Sequence, residues 1–114
     1  MSHGGIALGA RGESLAARWY RDHGFEVVAR NWRCEVGEID LVARHGGMVV
    51  IAEVKTRSGT RFGVPAQAVG HAKQRKLRQL GAAWLASSGE FYDEVRFDVV
   101  SIIGNAVEVI PGAF

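Results

Sequence analysis

The chain has 114 residues, 47% of them hydrophobic and 23% charged, with a formal net charge of +2. That length suits one domain with its own core, and the composition is ordinary for a globular protein. No apolar run approaches the roughly 18 residues of a membrane span, the N-terminus lacks the features of a secretory leader, and the single cysteine, Cys34, excludes an internal disulfide and a multi-cysteine zinc site. A cytoplasmic chain without a membrane partner is therefore expected. In chain order, one domain spans 1–114, with 1–8 read as a flexible N-terminal tail. Residues 9–24 predict a helix, with Leu8, Leu15, Ala16 and Trp19 at helical spacing and Gly24 as its stop. "FEVVARNWR" (25–33) predicts a strand, and 37–57 a hairpin turning at Gly46-Gly47. Residues 65–89 predict the longest helix, with Pro65 in its first turn, Gly89 after its end, and Val69, Ala72, Leu77, Leu80 and Trp84 as its buried stripe. Two strands follow, 94–103 and 106–110, joined at Gly104-Asn105. The order α-β-β-β-α-β-β describes an α/β sandwich, a mixed sheet flanked by helices.

The hairpin "GEIDLVARHGGMVVIAEVKTR" carries charges that a structural hairpin would not bury. With a two-residue turn, His45 faces Met48, Asp40 faces Glu53, and Glu38 faces Lys55. Opposed residues share a face, as do residues two apart along a strand. These four side chains therefore converge near the strand ends, while Ile39, Leu41 and Ala43 meet Val50, Ala52 and Val54 as core on the other face. Opposed carboxylates destabilise a hairpin unless a shared proton, a cation such as Lys55, or a bound metal compensates. Hard divalent cations take one or two carboxylates together with substrate phosphates. A salt-bridged cluster at an open sheet end fits the same four residues.

The basic residues are concentrated. "HAKQRKLRQ" (71–79) holds Lys73, Arg75, Lys76 and Arg78, and "KTRSGTRFG" (55–63) holds Lys55, Arg57 and Arg61, neither stretch with an acid. Such patches bind phosphates even at small net charge. Gln67, His71, Gln74 and Arg78 form a polar stripe opposite the core side of the second helix. His23, His45 and His71 lack partners at metal spacing. Cys34 reads as a core or near-surface thiol. Asp98 in "RFDVV" reads as a supporting residue for the site, and its pairing with Arg96 is the less favoured alternative.

Asp40 followed by Glu53-Val54-Lys55 resembles the D…(D/E)XK core of the PD-(D/E)XK nuclease superfamily. More closely, "GARGESLAARWYRDHGFEVVARNWRCEVGEIDLVA", "AEVKTRSGTRFGVPAQAV", "KQRKL" and "RFDVV", which span most of 9–101, resemble the YraN-like bacterial family. That family is similar to the archaeal Holliday-junction resolvases and implies a restriction-endonuclease-like fold. The resemblance implies metal ligation of Mg²⁺ or Mn²⁺ by Asp40, Glu53 and the Val54 carbonyl. It implies charge stabilisation or water orientation by Lys55, and completion of the site by Glu13 from the first helix. Gly9, Gly12, Ala16 and Ala17 would let that helix approach the sheet closely. Ile39 stands where the superfamily name has proline. Gln67 or Gln74 would be the glutamine that some members place near the phosphate.

The expected function is a metal-dependent endonuclease hydrolysing DNA, selective for branched or damaged structures. Arg57, Arg61, Gln67, Lys73, Gln74, Arg75 and Lys76 would contact nucleic acid. The alternative is a non-catalytic nucleic-acid-binding or repair-complex interaction module of the same fold. The resemblance leaves room for a homodimer and for partners from a repair complex.

Overall fold

A computed structural model describes residues 4–57 and 69–114 of the chain. Helix α1 (Gly4–Asp22) is followed by strands β1 (Glu26–Arg33), β2 (Glu38–His45) and β3 (Met48–Arg57). Helix α2 (His71–Ser88) then leads to β4 (Glu94–Ile103) and β5 (Ala106–Ile110). The expected order α-β-β-β-α-β-β and mixed sheet are both present. The five strands lie in chain order, β1-β2-β3-β4-β5, and only β3 and β4 run parallel. That parallel pair requires a crossover, which α2 supplies.

Alternation along the strands divides the interior into two cores. Leu41, Ala43, Val50, Ala52, Val100 and Ile102 pack under Ala16, Ala17 and Tyr20 of α1. Val42, Val49, Ile51, Phe97 and Val99 pack on the other face under Leu77, Leu80 and Trp84 of α2. Gly81 permits this second contact, since a Cβ there would lie 3.1 Å from the Phe97 ring.

The glycine turns behave as their spacing predicts. His45 pairs with Met48 across Gly46-Gly47, and Ile103 with Ala106 across Gly104-Asn105. Gly46 has φ 59°, which suits a residue without Cβ. Gly47 has a second reason: the Asp93 carboxylate sits where its Cβ would be, and Asp93 N–H donates to the Gly47 carbonyl at 2.8 Å.

Four expectations change. The first helix begins at Gly4, so 4–8 belong to α1 rather than to a tail. The second helix begins at His71 after Gly70, because Val69 and Gly70 lie outside it; Pro65 lies outside the described residues. Ala72 is exposed, about 140° around the helix from Leu77 and so off the buried stripe, while Val69 is buried ahead of the helix. Ile39 joins the α2 core together with Trp32, instead of the core of Leu41 and Ala43. The β1–β2 ladder keeps its register from Arg30–Leu41 to Trp32–Ile39, passing over Asn31, with φ 51°, and Asp40; its irregularity lies between Val27 and Ala29.

Candidate active site

The site is a fork in the sheet. The β2–β3 register is the one that the two-residue turn dictates, from His45–Met48 to Leu41–Ala52, where the ladder ends. Beyond that step β2 stays paired with β1 as far as Glu38, and β3 stays paired with β4 as far as Arg57. Asp40 and Glu53 stand one step past the last rung. Asp40 fills the gap with its side chain: Oδ2 accepts a hydrogen bond from the Val54 N–H at 2.8 Å. In an extended strand the N–H and C=O of one residue point the same way, so the Val54 carbonyl is directed into the fork as well.

Helix α1 brings Glu13 to this opening. Gly12 is buried directly against Thr56, the residue after Lys55, and a Cβ there would overlap the threonine hydroxyl. Burial pushes the Asp40 carboxyl up to about 7, and the charges of Glu53, Glu13 and Glu38 push the same way, against the hydrogen bond from Val54. Three acids therefore converge electrostatically on Asp40. Their ion-pair partners differ from those expected. Glu53, with 12% of its side chain exposed, pairs with Lys73 of α2 at 3.2 Å. Glu38 pairs with Arg33 across β1–β2 at 3.5 Å, not with Lys55, because the β2–β3 ladder stops before reaching that pair.

Lys55 is half-buried on the α2 side, two residues from Glu53. Its row continues across the sheet: Lys55 pairs with Ser101, and Ser101 with Glu108. Ser101 Oγ and Glu108 Oε1 are both buried without a hydrogen-bond partner among the described residues, so polar atoms line the row beside the lysine. Sequence reasoning missed both residues. The signal lay in the period of β4, where Ser101 interrupts an apolar run.

Of the expected phosphate contacts, Arg57 ends β3 half-buried, and Arg75 and Lys76 are exposed on α2. Lys73 turns to Glu53 instead of standing apart on the helix surface. Gln74 donates its amide to the Val69 carbonyl at 2.9 Å, which ties it to the helix start. Arg61 and Gln67 lie outside the described residues. Arg78 leaves the polar stripe and lies over the Phe97 and Phe114 rings, 5.3 and 5.5 Å from their centroids. Among the described residues no three His, Cys, Asp or Glu side chains gather as a metal cage. The donor set that fits a hard cation is smaller: Asp40, Glu53 and the Val54 carbonyl, oxygen ligands that leave coordination positions to water and phosphate.

Asp98 is fully buried and has a structural role. It accepts hydrogen bonds from Tyr20 OH at 2.6 Å, from the Arg96 guanidinium at 2.9 and 3.0 Å, and from the Gly112 N–H at 3.0 Å. Arg96 and Asp98 are two apart, not adjacent, so they share a face of β4 and the disfavoured pair forms. Burial and the Asp98 charge push the Tyr20 hydroxyl far up.

The chain matches the model of the uncharacterised protein family UPF0102 over residues 12–102, a span that includes Glu13, Asp40, Glu53, Lys55 and Lys73. The chain belongs to the UPF0102, or YraN-like, family. It is similar to a UPF0102 protein of Nocardia farcinica, 53% identical over 97 residues that cover 85% of this chain and 76% of the relative. A UPF0102 protein of Rhodococcus jostii is 52% identical over 103 residues, 90% of this chain and 86% of the relative. One of Frankia alni is 48% identical over 113 residues, 95% and 94% of the two chains. These names state the family and no activity. Among the described residues no helix is long and apolar enough to cross a membrane.

Proposed function

We propose that the chain is a metal-dependent endonuclease of the PD-(D/E)XK type that acts on branched or damaged DNA in the cytoplasm. The observation that carries this reading is the fork, where Asp40 accepts a hydrogen bond from Val54 and feels Glu13, Glu38 and Glu53, its carboxyl raised to about 7, with Lys55 two residues beyond Glu53 on β3. Perturbed groups of this kind cluster at functional sites, which supports the reading. Asp40, Glu53 and the Val54 carbonyl would hold the cation, and Glu13 would complete the site from α1. Mg²⁺ or Mn²⁺, when bound, lowers the pKa of a water and neutralises charge on the phosphate. Lys55 stabilises the charge that develops on the phosphate oxygens. Arg57, Arg75 and Lys76 hold flanking phosphates, which fixes position without reading sequence. Phosphate contacts of this kind read no sequence, so the shape of the DNA or a partner protein directs the domain.

The second reading is a nucleic-acid-binding module without catalysis. The Glu53–Lys73 pair favours it, because it neutralises one acid without a metal. The test is a cleavage screen of single-stranded, duplex, flap and four-way-junction DNA, and of RNA, in Mg²⁺ and in Mn²⁺. Binding is measured separately in EDTA. Wild type is expected to cut at least one branched substrate, and Lys55→Ala to lose cleavage while keeping its affinity. No cleavage in any lane, with binding intact, establishes the module instead. Equal cleavage by Lys55→Ala refutes the assigned site.

A further inference from the structure

Lys73 is the third residue of α2, and its contact with Glu53 is the one ion pair between that helix and the acids of the fork among the described residues. The two partners are unequally placed. Glu53 has 12% of its side chain exposed and is held by β3, whereas Lys73 has 48% exposed at the start of a helix. The carboxylate is the fixed member, and the ammonium can swing into solvent at little cost. Glu38 already has Arg33, so the positive charge nearest Glu53 comes from outside the sheet.

We propose that Lys73 is a positioning residue for this fork, a placeholder that occupies Glu53 until a divalent cation displaces it. This rests on the reading of the fork as a metal-dependent phosphodiesterase site. An ammonium and a divalent cation on the same carboxylate repel each other, so each weakens the other's hold on Glu53. Once displaced, Lys73 swings to the side of the fork where the basic face of α2, with Arg75 and Lys76, meets the phosphates. Cation binding thereby releases a second lysine to the substrate, and metal and DNA reinforce each other's binding. A merely structural ion pair, tying α2 to β3, would behave in the opposite way, because its loss would loosen Glu53 and weaken any metal held there.

The test is isothermal titration of Mn²⁺ into the full chain at about pH 8, with wild type, Lys73→Gln and Lys73→Arg. Thermal unfolding of each in EDTA checks that it is folded. Lys73→Gln is expected to bind Mn²⁺ roughly tenfold more tightly, as removal of one competing unit charge predicts. Lys73→Arg, which keeps the charge, is expected within about twofold of wild type on the same argument. A second arm measures binding of a four-way junction with and without Ca²⁺. Wild type should gain affinity with the cation, and Lys73→Gln should lose most of that gain. Unchanged or weaker Mn²⁺ binding by Lys73→Gln overturns the placeholder role, while cleavage that still depends on Lys55 leaves the site reading standing. Absence of Mn²⁺ binding in every variant, together with no cleavage, overturns the site reading and this inference with it.

Discussion

Asp40→Asn removes a charge that burial and three neighbouring acids disfavour in the folded chain. In the unfolded chain this carboxyl titrates near its ordinary 3.8, and in the folded protein at about 7. Below the lower value it is protonated in both states and contributes nothing. Between the two the unfolded chain releases a proton that the folded chain keeps, so stability falls as pH rises, and above about 7 the whole cost is present. That cost is at most about 4 kcal/mol, and water entering the fork reduces it to roughly 2 to 3. The amide keeps a carbonyl that accepts from the Val54 N–H, at the loss of about 1 kcal/mol for the charged hydrogen bond. The variant should therefore be more stable than wild type by about 1–2 kcal/mol at pH 8, a rise on the order of 5–10 °C in Tm. Near pH 4 the advantage should vanish. The assay is urea unfolding of both proteins in EDTA at intervals from pH 4 to 8, read as the difference between them so that other titrations cancel. A difference independent of pH, or a variant less stable than wild type at pH 8, refutes the assignment of a raised Asp40 carboxyl.

Asp98→Asn leaves the Arg96 guanidinium without its buried anion and should cost about 3–5 kcal/mol in urea unfolding; a loss under 1 kcal/mol would show that the network is not holding the C-terminal segment at Gly112. Gly12→Ala places a methyl group against Thr56 and should destabilise by about 1–2 kcal/mol in spite of alanine's higher helix propensity. Adding Thr56→Ala should return part of that loss, and a single variant as stable as wild type would mean that α1 does not lie as close to β3 as described.

Much of this protein was legible locally. The Gly46-Gly47 turn sets one register, the period of two carries it along β2 and β3, and the ladder from His45–Met48 to Leu41–Ala52 follows from those facts alone. The order of elements and the two core faces follow from the same periodicities. The end of that ladder does not. Glu38 and Asp40 are sequence neighbours of residues that pair with β1, and Glu53 and Lys55 of residues that pair with β4. Where the two outer pairings pull β2 and β3 apart, the hairpin opens, and this is a contest between non-local ladders that no window of sequence contains. The same holds for Lys73, whose helical position marks it as a surface cation until the crossover lays α2 beside Glu53. Ile39 shows the remaining case: it packs into the α2 core instead of beside Leu41 and Ala43, a change of face that strict alternation does not anticipate. Local rules determine which residues can oppose one another, and the packing of distant strands and helices decides which of them meet, because each backbone group has one partner to choose and the choice is settled by the whole sheet.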